Sequence, residues 1–451
     1  MKKSSLGLIL LSTALFATSE VNSFSEVFSE ATTSGNIKYY YIQTDKDKSY
    51  TGAADTSAYA NSIGGQIHFD TARYKGFSAY LTFMTTNPFL LSNDPAKVDT
   101  SIIGKDNGAR GGDATKGFSV LGEAYIDYRY KDFMVTYGRK VIKTPLMNAK
   151  EVRMLPSTFN GLYLDYTQNK YSHIGFDYVT EFKQRTSNEF INVIQHALGD
   201  DTEAVTGSSG GAMWMADYNF KTDDYALNIY DCYAENFINS VYTDASYKMH
   251  VGVAKLHFAA QYIYQQSVGN ADDNLATAGS ITNGKKIRSN AVGAKVIGNL
   301  GYGTLTLAYS KVFSDNTKHD SLVLPWDGTP LFTNAITSND LFQSIYGHAL
   351  NADSIYIGGS QGFKVAYKER FNGIGLKGVS LSAAYLNTSN SKFEKGHQSD
   401  YNVVLGYTYD KAFSLALKGI WVQNSASADK TGNVTQLKLL SQYRVITNYK
   451  F

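Results

Sequence analysis

From Gly35 to the C-terminus, apolar residues recur at every second position with polar residues between them, in one segment after another. This is the period of an extended strand, whose successive side chains point to opposite faces. Phe413, Leu415, Leu417, Gly419 and Trp421 share one greasy face, while Ser414 and Lys418 share the other. The pattern predicts eighteen strands, near residues 35–45, 62–74, 76–86, 118–130, 132–142, 159–168, 171–182, 212–220, 223–232, 237–247, 250–265, 287–297, 302–312, 354–370, 378–388, 400–409, 412–423 and 433–447. A soluble sandwich would also alternate, so alternation alone does not choose between water and lipid outside.

Connection lengths discriminate better. After each even-numbered segment the link is short, as at Lys131-Asp132, Asn169-Lys170, Lys221-Thr222-Asp223 and Asp410-Lys411. After most odd-numbered segments it is long, as at 87–117, 143–158, 183–211, 266–286 and 313–353. Short periplasmic turns and long extracellular loops describe an all-β transmembrane antiparallel up-and-down β-barrel. The brief link near Ala234 is the one place where the count could slip. Proline lacks the N–H that a ladder needs, and Pro88, Pro95, Pro145, Pro156, Pro325 and Pro330 all fall in three of the long loops. No predicted strand is interrupted.

Both ends of the chain agree with export to an outer membrane. Lys2 and Lys3 followed by an apolar run from Leu6 to Ala17 read as a secretory signal, too short to span a bilayer. Small residues at Ala17 and Ser19 place cleavage after residue 19, with a second acceptable site after residue 23. Residues 20–34 then form a periplasmic lead-in, with Phe24, Val27 and Phe28 at helical spacing, before a single barrel over 35–451. At the other end Phe451, Tyr449, Thr447, Val445 and Tyr443 lie on one face. An aromatic last residue on such a face resembles the signal read by the barrel-assembly machinery, so Tyr449 and Phe451 are expected to carry it.

Composition narrows the picture. With 14% aromatics, 34 Tyr, 39 Gly and six Pro the chain suits a large β protein. Without Lys2 and Lys3 it has 40 basic and 40 acidic residues, so it lacks the strong positive charge of a nucleic-acid binder. A lone Cys232 excludes an internal disulfide and reads as an inert barrel thiol. No segment has the run of about 20 apolar residues that a membrane helix needs.

The apolar parity of each strand faces lipid, because a Lys or Arg there would cost about 2–4 kcal/mol at mid-depth. The other parity faces the lumen. It places Glu123, Asp127, Asp165, Asp177 and Asp217 inside on strands four to eight, with Arg129 and Lys140 among them. It places Lys255, Lys295, Lys364, Lys368, Arg370, Lys418, Lys438 and Arg444 inside on strands eleven to eighteen, and Lys38 inside on strand one. Because the last strand must pair with the first, these form a basic arc opposite an acidic one. A transverse field of this kind favours small charged or zwitterionic solutes over neutral sugars. Arg288 and Lys311 fall on the lipid parity and are expected at the rim.

The stretch GRKVIKTPLMNAKEVRMLPSTFNG, from Gly138 to Gly161, resembles the strand-to-loop motif of the OprD-type porins, the substrate-selective channels of Gram-negative bacteria. The Gly-Arg pair, the Thr-Pro, the Arg-Met-Leu-Pro and the Thr-Phe-x-Gly match in order, and the opening strand GNIKYYYIQTD is similar to the family's first strand. The resemblance implies that the third loop folds inward to narrow the pore, with Thr144, Pro145, Arg153, Met154, Leu155 and Pro156 at the constriction. It also implies a basic ladder guiding carboxylates, a role that would fall on Lys364, Lys368, Arg370, Lys418 and Lys438. The chain departs from the pattern by using Lys where Arg is expected, with 9 Arg in all, so bidentate carboxylate binding is weaker. In this it resembles divergent members in epsilon-type proteobacteria.

Two other functions are compatible with a barrel. An outer-membrane barrel enzyme would need a nucleophile, base and orienter together at a rim. The eight His are scattered, no metal or cofactor motif occurs, and His173 and His257 read as lumen-lining polar groups. A structural or adhesive surface protein would use its long loops, and Trp326, Phe332, Phe342 and Tyr346 make the loop at 313–353 aromatic enough to pack into the barrel mouth or onto a neighbour. Asp272, Asp273 and Asn274 could touch calcium, although a solvated acidic loop is the plainer reading. The expected partners are outer-membrane lipid and small solutes, in a homotrimer or a monomer.

Overall fold

A computed structural model of the chain describes residues 19–46, 56–89, 117–149, 152–252, 254–278, 282, 284–301, 303–336, 355–390, 397–428 and 434–451. The signal segment therefore lies outside the described residues.

The alternating segments form a closed antiparallel barrel of eighteen strands. In chain order they are β1 (Thr32–Lys46), β2 (Thr56–Asp70), β3 (Phe77–Pro88), β4 (Phe118–Tyr130), β5 (Phe133–Lys140), β6 (Thr158–Asn169), β7 (Ser172–Lys183), β8 (Met213–Lys221) and β9 (Tyr225–Ala234). There follow β10 (Ile238–Val251), β11 (Ala254–Ser267), β12 (Arg288–Asn299), β13 (Gly303–Val312), β14 (Ser360–Arg370), β15 (Val379–Asn390), β16 (His397–Tyr409), β17 (Phe413–Ala428) and β18 (Val434–Lys450). Each pairs with its chain neighbours, and β18 pairs with β1 from Asn36↔Lys450 to Lys46↔Leu440, leaving no edge. The tight turn near Ala234 is real, with Asn236 at φ 53°, and it does not disturb the count.

Two-residue hairpins on the short side use left-handed residues, as at Asp410 and Lys411, which have φ 46° and 58°. The largest boundary differences have local causes. Of the residues expected to open β14, 354 lies outside the described residues and 355–359 belong to the preceding loop, where Ile355, Tyr356 and Ile357 are buried. The expected end of the second strand is a turn, in which Arg73–Tyr74 pairs in parallel with Glu20–Val21 of the lead-in. That lead-in carries a one-turn helix, Glu26–Ser29, and buries Val21 and Val27 against Ala72 while Phe24 and Phe28 stay exposed.

Strict alternation fails at one informative place. Between β3 and β4 the register passes from Glu123↔Thr82 to Leu121↔Phe83, leaving Gly122 as an extra residue. Below this bulge Glu123 and Asp127 turn inward. Above it Phe118 and Val120 do so, and Leu121 is exposed on the outer wall.

Candidate functional site in the barrel lumen

The described residues of loop 141–157, between β5 and β6, lie inside the barrel and are held at several points. The inward carboxylate of Glu123 accepts from the backbone N–H of Val141 at 3.0 Å, fixing where the loop leaves β5. Tyr40 Oη donates to the carbonyl of Val152 at 3.0 Å, and Lys38 Nζ donates to those of Arg153 and Met154 at 3.4 and 3.1 Å. Lys183 Nζ donates to the carbonyl of Pro156 at 3.1 Å. Met154 and Leu155 are buried against Tyr40, Ile42, Ala60 and Met84.

In the second long loop, between β13 and β14, the described residues 313–336 and 355–359 also turn inward, which the sequence left open. Gln265 on β11 donates from Nε2 to the carbonyl of Val323 and accepts at Oε1 from its N–H, both at 2.8 Å. Four residues earlier on the same strand, Gln261 donates to the carbonyl of Pro330 at 3.0 Å and accepts from the N–H of Phe332 at 2.8 Å. Each glutamine amide thus stands in for a strand of backbone. Trp326 is buried and donates to the carbonyl of Val193 at 2.9 Å. Phe342 and Tyr346 lie outside the described residues.

The two loops meet in the lumen. Met147 and Asp327 form an antiparallel bridge, the N–H of Asn148 donates to the carbonyl of Trp326 at 3.0 Å, and that of Thr329 donates to the carbonyl of Pro145 at 3.0 Å. The approach is close enough that a Cβ on Gly328 would sit 2.5 Å from the carbonyl oxygen of Leu146. Asp327 accepts from Ser157 Oγ at 2.8 Å and from Arg185 Nη1 at 2.7 Å. Burying an apolar side chain such as Met147, Leu155 or Trp326 contributes about 1.5–3 kcal/mol. That only offsets the roughly 1–2 kcal/mol per residue needed to order the backbone, so the buried apolar residues and the hydrogen bonds above fix the loops together.

Among the described wall residues named for the lumen, each lies on the strand parity opposite the exposed apolar face, and their surroundings differ. On the acidic side Asp165 and Asp217 flank Gly175 at one register level, with His173 Nε2 at 3.2 Å from Asp165. Asp127 accepts from Thr136 Oγ1, and Asp177 is buried. Asp244 on β10 extends this side, accepting from Asn228, although sequence reading missed it. Arg129 and Lys140 stand among these acids, and Lys140 Nζ lies 4.2 Å from the centre of the Tyr163 ring. On the basic side Lys295 and Lys364 face Ala308 from its two neighbouring strands, so they share a level. Lys295 Nζ sits over the Phe332 ring and Lys364 Nζ donates to the carbonyl of Asn334 at 2.7 Å. Lys418 and Arg444 are register partners. Lys255, Lys368 and Arg370 are exposed at the periplasmic ends of their strands.

Three basic residues expected to face the solute path are covered instead. Lys38, Arg153 and Arg444 are 7%, 3% and 1% exposed: Lys38 lies under the inward loop whose carbonyls it meets, Arg153 is part of that loop, and Arg444 lies against Gln442 and Tyr40 of the wall. Arg444 donates from Nε to Gln442 at 2.7 Å and from Nη1 to Tyr40 Oη at 3.3 Å. The side chain of Lys438 lies outside the described residues. Asp400, also missed, is buried at the level of Lys364 and interrupts the basic arc. Arg288 is exposed where β12 begins, at the rim. Asp272 and Asp273 both face Lys286, at 2.7 and 3.4 Å, and Asn274 donates to the carbonyl of Val205. Among the described residues no group of three His, Cys, Asp or Glu is placed to hold a metal.

At the seam, Phe451 and Gly35 exchange both backbone hydrogen bonds, at 3.1 and 3.0 Å, and Tyr449 and Phe451 face outward.

Comparison with known proteins gives one family and one fold. A family profile described as outer membrane porin, OprD family, matches residues 27–451. No curated protein matches the sequence. Among solved structures the chain is similar to Pseudomonas aeruginosa OccK9 (OpdG), at 14% identity and a TM-score of 0.72 over 94% of this chain and 99% of that one. It is similar to P. aeruginosa OpdK, solved with vanillate, at 15% identity and a TM-score of 0.68 over 94% and 99%. OccK8 (OprE) of the same organism matches at 13% identity and a TM-score of 0.71 over 94% and 99%.

Proposed function

The chain belongs to the OprD family of outer-membrane porins, and from that premise we propose that it is a passive diffusion channel for small solutes carrying at least one carboxylate. The observation that carries this reading is the charge across the lumen. Lys295 and Lys364 share a level on one side, and Asp165 and Asp217 share one on the other.

A solute passing the inward loops experiences a field across the pore rather than along it. A zwitterion aligns with that field, and a carboxylate follows the basic side. The residues we assign to guiding are Lys255, Lys295, Lys364, Lys368, Arg370, Lys418 and Lys438. The opposing side is Glu123, Asp127, Asp165, Asp177, Asp217 and Asp244, with Arg129 and Lys140 moderating its charge.

The constriction we assign to Thr144, Pro145, Arg153, Met154, Leu155 and Pro156, acting with the second inward loop around Asp327. Lys38 and Arg444 then serve the channel by holding that loop. An ammonium is a point charge that binds a carboxylate less rigidly than a guanidinium fork. Conduction requires solutes that enter readily and also leave, so a lysine-lined path suits rapid passage over tight binding. The vanillate in the P. aeruginosa OpdK structure is itself a carboxylate, in keeping with this cargo class. Tyr449 and Phe451 we assign to barrel assembly.

The test is solute uptake into liposomes holding the purified protein, comparing monocarboxylates, amino acids and neutral sugars of equal size. Faster entry of the carboxylates and amino acids supports the proposal; equal rates for all three classes refute it.

A further inference from the structure

The outer wall carries an aromatic band at the periplasmic end whose charged neighbours are unevenly distributed. On three consecutive short hairpins, a lysine lies beside an aromatic ring. Lys75 Nζ is 5.1 Å from the Tyr74 ring, Lys131 Nζ is 5.2 Å from Tyr130, and Lys170 Nζ is 4.6 Å from Tyr171. All three lysines are exposed, and none belongs to an ion pair among the described residues.

Between these turns aromatic rings pair across neighbouring strands. Phe77 packs on Tyr128 at 4.6 Å and Phe133 stacks on Tyr166 at 4.4 Å. Tyr128, Tyr130, Phe133 and Val135 line an apolar groove of about 360 Å³ that opens on the outer wall. The lead-in extends the band, since Phe24, 67% exposed, makes an edge contact with Tyr74, and Phe28, 59% exposed, packs on Phe24. The neighbouring turn after β8 instead carries Asp223 and Asp224, and the turn at 300–302 has no charge.

We propose that this face, from the lead-in to the β6–β7 turn, is a binding site for an anionic phospholipid of the periplasmic leaflet. Its acyl chain fills the groove and its phosphate meets Lys131, the lysine at the mouth of the groove, while Lys75 and Lys170 on the two flanking turns add positive potential. Aromatic rings with one wet edge settle at the depth of the headgroups, and lysines beside them lie where lipid phosphate is found. The site needs only the outer-membrane location and is independent of which solutes cross.

Native mass spectrometry of the full chain, released from micelles holding equal phosphatidylglycerol and phosphatidylcholine, reads the retained lipid directly. Wild type is expected to favour phosphatidylglycerol by about tenfold. The triple substitution Lys75→Gln, Lys131→Gln and Lys170→Gln brings the ratio near one, while Lys221→Gln, Lys377→Gln and Lys411→Gln at other turns leave it high. A wild-type ratio near one overturns the proposal, even if the variants fail to fold. So does equal loss in both triple variants, which would mean diffuse charge, or a dimer formed through this face with no lipid retained.

Discussion

Lys38 Nζ lies 3.1 Å from the carbonyl oxygen of Met154, joining the first barrel strand to the backbone of the loop that enters the lumen. The ammonium is therefore used as a tether. Lys183 at Pro156 does the same for a neighbouring stretch of inward loop, and Lys364, half-buried where Lys38 is buried, meets the carbonyl of Asn334 while keeping part of its side chain open to the lumen. Lysine suits this work because three donors on a long stem reach several carbonyls without fixing their planes.

Replacing Lys38 by Met removes a charge-assisted contact to two carbonyls at nearly constant volume. Such a contact contributes about 1.5–3 kcal/mol. The loop should then leave its seat part of the time, and single-channel recordings should show higher mean conductance with more flicker. Conductance and noise equal to wild type would show that Lys38 does not hold the loop.

Asp327→Asn tests the junction of the two loops. Arg185 and Asp327 are 15% and 10% exposed at their side chains, so the neutral variant leaves a guanidinium short of its counter-charge in a covered site. Losing one partner of a buried pair costs about 3 kcal/mol. Limited proteolysis should cut within 313–359 in the variant under conditions that leave wild type whole; identical patterns would remove the junction from the account.

Gly35 has no room for a side chain. An added Cβ would stand 2.5 Å from the carbonyl oxygen of Gln66 and 2.7 Å from Phe451 Cζ, at the strand pair that closes the cylinder. The ring can swing away but the backbone oxygen cannot, so Gly35→Val should cost about 1–3 kcal/mol. The readout is the temperature at which the folded band is lost in heat-modifiability gels, which should fall.

One pH effect is expected on the extracellular side. Lys286, donating to Asp272 Oδ2, is the main reason that carboxyl is held below its ordinary value of 3.8. A carboxylate with a lowered folded pKa stabilises above its unfolded value and loses that contribution as pH falls through the folded one. Amide exchange in the helix Asn270–Ala278 should therefore be unchanged from pH 7 to 5, allowing for intrinsic rates, and should quicken below about pH 4. Lys286→Met should weaken this step, leaving the part due to Ser267 Oγ donating to Asp272 Oδ1.

The strands were legible because their signals are local. Alternation sets each face, turn residues end each strand, and the short and long links order the two ends. The bulge at Gly122 was not, since one extra residue leaves both halves of β4 alternating normally. Inward orientation of Lys364 or Asp217 could be read from parity, but whether a charge meets water or a loop could not. Lys38 meets Met154 across 116 positions, Arg444 meets Tyr40 across 404, and Asp327 meets Ser157 across 170. Gln261 and Gln265 gave a faint signal as two inward amides on one strand, which has meaning only once a loop backbone lies beside them.

The central claim is that charge across the lumen selects what crosses it, and reversal potential in a salt gradient measures this most directly. In planar bilayers the wild type and a variant carrying Lys295→Glu, Lys368→Glu and Lys418→Glu should differ, the variant shifting toward cation preference by tens of millivolts, roughly the range set by a tenfold permeability change. An unchanged reversal potential in a folded, conducting variant would contradict the assignment of these residues to the path.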